Sequence, residues 1–211
     1  MLARLGQFRT WMLALLLLAA CGVEEEREDL LARGEYLVLE GRWEEAIPVL
    51  RARLLEQPHD PGAHFYLGRA YMFLPDPMLF HAEGEFETAL RLFHEQGGES
   101  PIERFSDEYF ELACHLELSK VYLSLILMLL DTSGPVEVAE RALERCEDNL
   151  EAARRIDPDS ADVAALESHL EELRGIVEEP GGPGVRPRRR PDQPFRPEPA
   201  EPFEEQERIS I

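Results

Sequence analysis

From Leu30 to about Arg174, apolar residues recur at three- and four-residue intervals, broken by glycine and proline, with no stretch of strict alternation. That pattern predicts an all-α body. Two apolar runs stand apart from it. The run from Trp11 to Ala20 follows Arg4 and Arg9 and is about half the ~20 residues a bilayer-spanning helix needs, so it reads as a secretory signal. The run "YLSLILMLL" at 122–130 is apolar on every side, and such a helix must be covered by its own fold, a partner, a second copy or lipid. His115, Glu117 and Lys120 precede a run of only about nine residues, which argues against a membrane span and for a central core helix. After Gly175 dense proline disfavours helix and sheet, and little apolar surface remains to offset the cost of ordering. The chain therefore divides into a signal (1–20), an acidic tether (21–29), a helical body (30–175) and a disordered Pro/Arg/Glu-rich tail (176–211).

The signal ends Leu18-Ala19-Ala20-Cys21. This order resembles the lipobox of bacterial lipoproteins, which implies cleavage before Cys21 and lipid on the new N-terminal cysteine. One acyl chain holds a protein only marginally, whereas several anchor it stably. Gly22 stands where lipoproteins kept on the inner membrane often carry aspartate, so the resemblance implies the periplasmic face of the outer membrane.

Within the body, His64-x2-Leu67-Gly68-x2-Tyr71 is followed by Ala89-x3-Phe93 and then Pro101. An earlier segment shares the offsets: Gly34 and Leu37, then Ala46-x3-Leu50, then Pro58, with Arg33 at the leucine position. These spacings resemble the tetratricopeptide repeat, a pair of antiparallel helices of ~34 residues in all. Small residues at Gly68 and Ala89 would let the helices approach, while Leu67, Tyr71 and Phe93 fill the space between. Pro48, inside the second helix, removes one backbone donor. A third copy shows only at its end, in Leu150, Ala153 and Pro158. The spacing from Pro101 to Pro158 far exceeds one period, and the middle copy is about nine residues too long, with the excess in "MFLPDPMLFHAEG". The resemblance implies three helix pairs and a terminal capping helix in a short α-solenoid.

Without residues 1–20 the chain keeps 20 basic and 43 acidic side chains, a formal charge of −23. Such a surface repels nucleic acid and favours basic partners. Cys114 and Cys146 remain beside Cys21. In a hairpin turning near Ser133, Cys146 would lie opposite Lys120, leaving Cys114 offset by ~9 Å along the axis, too far for a disulfide. Two buried free thiols are the favoured expectation.

No catalytic or metal constellation emerges. His81 and Glu83, and adjacent Cys114 and His115, lack zinc-ligand spacing. Gly97-Gly98 and Gly181-Gly182 lack the strand-to-helix setting of a phosphate loop, and no GxSxG occurs. Neither an enzyme nor a cofactor is expected. The resemblance implies instead a concave groove formed by the first helix of each pair. By register it would be lined by Leu31, Glu35, Val38 and Leu39, then Phe65, Arg69, Met72 and Phe73, then Phe105, Glu108, Leu112 and His115. Aromatics and methionine among charges suit a peptide or helix of another protein. The expected function is that of a membrane-anchored adaptor or assembly factor for another envelope protein, one with a basic segment being favoured by charge. Two alternatives stay open: capture of a small ligand for a transporter in an apolar cavity near Phe65, Met72, Phe73 and 122–130, and a passive envelope spacer.

Overall fold

The structure, a computed structural model, describes residues 29–178. The expected signal peptide, Cys21 with the expected tether up to Glu28, and the expected tail from Glu179 onward lie outside the described residues. Seven helices follow one another with no strand among the described residues: α1 (Leu30–Leu39), α2 (Trp43–Glu56), α3 (Pro61–Met72), α4 (Leu79–Glu95), α5 (Asp107–Asp131), α6 (Val136–Ile156) and α7 (Ala161–Glu178). The expectation of an all-α body holds. The body runs three residues past Gly175 because Val177 is buried on the core.

Local chemistry starts and stops these helices. Asp29 accepts hydrogen bonds from the backbone N–H groups of Leu31 and Ala32, and Ser106 from that of Tyr109, which satisfies donors left open at a helix start. Asp60 caps α3 through the Ala63 N–H, with Pro61 in the first turn, and also takes a 2.6 Å bond from Arg53 Nε. At the end of α4, Gly97 and Gly98 have φ of 96° and 77°, and the Gly98 N–H donates to the Phe93 carbonyl at 2.9 Å. The pair is a helix stop. Ser133, at φ 51°, turns the chain between α5 and α6.

Each helix packs against the next, and α1 also touches α3, α3 touches α5, and α5 touches α7. Two glycines set the closest approaches. A Cβ on Gly34 would sit 2.3 Å from Leu50 Cδ2, and one on Gly68 would sit 2.9 Å from the Phe86 ring. Ala89 and Ala46 are fully buried at the facing helices. The core between them is aromatic: Phe65 lies 5.8 Å from Phe86 and 5.5 Å from Phe110, and Phe93 lies 5.2 Å from Phe110, centroid to centroid. Pro48 lies within α2, which continues through it to Glu56.

Extra sequence in the third pair lengthens its helices, to 25 residues in α5 and 21 in α6, and adds no further pair. In the middle pair the excess forms the connection 73–78, where Phe73 stacks on Trp43 at 5.2 Å and the Met78 N–H donates to the Tyr71 carbonyl. By length and composition α5 could cross a membrane, yet 61% of its most apolar window is buried. It is the central helix, in contact with α3, α4, α6 and α7. Leu127 and Met128 depart from this, at 54% and 42% exposed.

The α5/α6 hairpin places Cys146 Sγ 3.6 Å from the Ser119 carbonyl and His115 Nδ1 2.9 Å from Asn149 Oδ1. Cys146 thus sits one residue from the expected position opposite Lys120. Both Cys114 and Cys146 are free and buried.

Candidate partner-binding groove

The odd-numbered helices run in one direction, so they share one face of the stack. Which residues lie on it follows from what each helix spends on its neighbours. On α5, Phe110 and Glu117 reach α3, while Leu112 and Leu116 pack with Val163 of α7. Between those contacts runs a strip at seven-, four- and three-residue steps: Ala113, Lys120, Ser124 and Leu127. Lys120, Ser124 and Ala113 are half-buried and Leu127 is exposed. On α3 the corresponding strip is Tyr66, Arg69 and Phe73, and on α1 it is Glu35 and Leu39.

The two halves of this face differ. Toward the helix starts it is filled by the chain itself. In the α4/α5 connection, Pro101 lies beside Gly62 and Ile102 is 3% exposed. Arg104 Nη2 contacts Glu35 Oε1 at 2.7 Å and donates to the Tyr66 hydroxyl at 3.0 Å. Burial pushes the Tyr66 phenol well above its ordinary pKa, so it stays neutral beside the guanidinium. A shallow depression of about 440 Å³, lined by Glu35, Ile102, Glu103 and Arg104, is what remains there.

Toward the helix ends the face is open. Leu39, Phe73, Leu127 and Met128 are each 40% exposed or more. Arg69 lies over the Phe73 ring, 5.9 Å from its centroid. Beneath them, Glu117 is 7% exposed; Oε1 lies 3.1 Å from Lys120 Nζ and 3.9 Å from Arg69 Nε. Arg69 Nε and Glu117 Oε2 are buried without a hydrogen-bond partner. The open half therefore has an apolar rim over a charged floor.

Of the residues expected to line the groove, Leu39, Arg69 and Phe73 lie on the open half, with Met72 half-buried beside them. Glu35 lies on the filled half, and Leu31 packs at Gly62. Val38 and Phe65 are corrections: at 0% and 2% exposed they belong to the core, because α1 and α3 turn those positions toward each other and toward α5. Leu112 is also core, buried at 7% against α7. His115 faces α6 through Asn149, and burial lowers its pKa from the ordinary 6.5. Phe105 packs edge-on to Phe65 at 6.2 Å and Tyr109 at 4.7 Å, and Glu108 is exposed in the first turn of α5. Sequence reasoning placed the groove face of α5 too early and so missed Glu117, Lys120, Ser124, Leu127 and Met128. The exposed Leu127-Met128 pair inside a run otherwise destined for the core carried no signal that periodicity could separate.

The apolar cavity that small-ligand capture would require near Phe65 is occupied by the rings of Phe86, Phe105 and Phe110. His81 packs on Tyr71 at 5.4 Å, and Glu83 accepts from the Tyr122 hydroxyl and pairs with Arg145 at 3.0 Å. Among the described residues no group of three or more His, Cys, Asp or Glu side chains is placed to hold a metal. No family model matches this chain, and neither does any curated protein or solved structure.

Proposed function

We propose that this protein is a lipid-anchored, tetratricopeptide-like adaptor of the bacterial outer membrane, attached through Cys21, that binds another envelope protein in the open half of its groove. The observation that carries the reading is the apolar rim of Leu39, Phe73, Leu127 and Met128 above the Arg69, Glu117 and Lys120 charges, on a face that no helix covers among the described residues. Exposed apolar residues gathered on one concave face, with charge among them, are the chemistry of protein recognition. The alternation of close helix pairs around Gly34 and Gly68 supports the repeat assignment.

The proposal has a direction built into it. The tether joins the start of α1, and nine residues span at most about 30 Å, so the helix starts lie near the lipid. The open half sits toward the other end of the odd helices, its Leu39 about 14 Å from Leu30 along the 10-residue α1 at 1.5 Å per residue. Crosslinking in native membranes tests this: the wild-type protein recovers a specific envelope protein, and Phe73→Arg with Leu127→Arg lowers that recovery at least ten-fold while the helical circular dichroism is unchanged. Recovery undiminished by both changes would overturn the groove assignment. An intact mass for the mature protein without lipid on Cys21 would overturn the anchor.

A further inference from the structure

The open half of the groove has a candidate occupant in the same chain. Arg154 pairs with Glu167, and Arg174 with Glu147, so α7 runs antiparallel to α6 and ends level with Leu143. Through the α5/α6 pairing of Ser119 with Cys146 and His115 with Asn149, Leu143 is level with Tyr122 of α5. The chain thus leaves α7 beside the stretch of α5 that carries Lys120, Ser124 and Leu127. Residues 179–211 begin at the lip of the groove.

Their chemistry complements what they meet. Residues 29–178 carry 32 acidic and 13 basic side chains, whereas residues 186–203 carry five arginines against three carboxylates, with four of the arginines ahead of the first of them. Each exposed apolar residue of the rim has a carboxylate close by in sequence: Glu40 after Leu39, Asp76 after Phe73, and Asp131 after Met128. Phe195 and Phe203, the two aromatic residues after α7, each follow a proline and stand eight residues apart. In a polyproline II conformation that spacing is about 25 Å, comparable with the about 16 to 20 Å of two helix spacings from α5 to α1. Proline has already restricted the backbone, so ordering such a segment costs less than ordering an ordinary one. Reach is ample, since 16 residues lie between Glu178 and Phe195.

We propose that residues 186–203 bind in cis across the open half of the groove, with Phe195 and Phe203 on the Leu39, Phe73, Leu127 and Met128 rim and the arginines beside its carboxylates. The segment shields the apolar rim, and any partner that uses the groove must displace it. The inference rests on the groove described above, but its test needs no partner. A benzophenone amino acid in place of Phe195 is activated by light in the purified full-length protein in detergent, and the linked peptides are read by mass spectrometry. The expected links fall within one molecule, to peptides holding Leu39, Phe73 or Leu127-Met128, with a yield constant over a ten-fold range of protein concentration. Phe73→Ser combined with Leu127→Ser, both at exposed positions, should lower the yield at least five-fold, and R188E/R189E/R190E at least three-fold. Links confined to other faces, or no link to the body at all, would overturn the proposal. A yield that climbs with concentration would assign the rim to a second copy and overturn it equally. Partner capture that persists when these links fail would leave the adaptor reading standing and remove only the cis contact.

Discussion

Placing an alanine at each of three helical glycines tests whether the helix pairs touch where the structure brings them together. Alanine favours an exposed helix interior over glycine by about 1 kcal/mol. At Gly84 of α4 the new methyl meets nothing within 4 Å, so Gly84→Ala should stabilise the protein by about 0.5 to 1 kcal/mol. At Gly68 the methyl would lie 2.9 to 3.0 Å from three atoms of the Phe86 ring. That ring is fully buried against Phe65 and cannot swing away. Overpacking of this kind costs about 1 to 3 kcal/mol, which cancels or exceeds the helix gain. Gly34 is tighter still, with Leu50 Cδ2 at 2.3 Å and Cγ at 2.7 Å. Because Cγ itself is too close, turning a methyl does not relieve the clash, and Leu50 is fully buried. Gly34→Ala should therefore lose about 1 to 2 kcal/mol net, a gap of about 1.5 to 3 kcal/mol from Gly84→Ala at an identical chemical change. Urea unfolding followed by circular dichroism measures it, provided the slope m is the same in all variants. Adding Leu50→Val to Gly34→Ala should cost less than the two changes summed, because the pair shares one contact. If all three alanines raise the midpoint alike, the close approaches at Gly34 and Gly68 do not exist and the pairing of these helices is wrong.

His115 contributes a pH dependence of known sign. Burial holds its pKa below 6.5 in the folded state, although the bond to Asn149 and the nearby Glu111 act to raise it and His94 and Arg155 to lower it. Above 6.5 both states are neutral. As pH falls through 6.5 the unfolded chain takes up a proton that the folded one refuses, so stability declines. His115→Gln should flatten urea midpoints between pH 7.5 and 5, and equal slopes in the two proteins would refute this. The thiols should be inert: burial lifts Cys146 to about 12 and Cys114 well above the ordinary value, so iodoacetamide at pH 8 should label neither in the native protein and both in urea. Arg69→Met leaves Glu117 buried with Lys120 as its remaining ion-pair partner and should cost about 1 to 3 kcal/mol. Adding Glu117→Leu should recover most of that loss, and a double variant as unstable as the single one would refute the account.

How much of this was legible depends on which physical signal each feature used. Helix existence follows from apolar spacing, and capping from side chains such as Asp29, Asp60 and Ser106, which act within three residues of themselves. The close approaches at Gly34 and Gly68 were legible for a related reason: a glycine flanked by apolar residues at a fixed offset has few other uses in a helix interior. Groove membership is not local. It depends on the rotation of α5 about its axis, which is set by four neighbours at once. The expected offsets hold for Leu39, Arg69 and Phe73 but not for Val38 and Phe65, and on α5, where the third pair grows to 25 and 21 residues, they find none of the open half.

That failure has a physical direction. A turn takes 3.6 residues, so an added length that is not close to seven, eleven or eighteen residues rotates the face. A groove register carried from one pair into a longer one therefore rotates, and Leu112 and His115 turn into the contacts with α7 and α6. The strip that faces outward instead begins at Ala113 and continues to Leu127, one long helix supplying what two shorter repeats would share. Lengthening also carries Leu127 and Met128 past the end of α3, since Glu117 lies at Arg69 and α3 ends at Met72. With no α3 side chain level with them, these residues remain exposed despite lying in the most apolar segment of the body. The exposed rim and the long hairpin are thus one feature: the length by which the third pair exceeds the expected period is what creates the surface on which the proposed partner and the chain's own arginine-rich segment would compete.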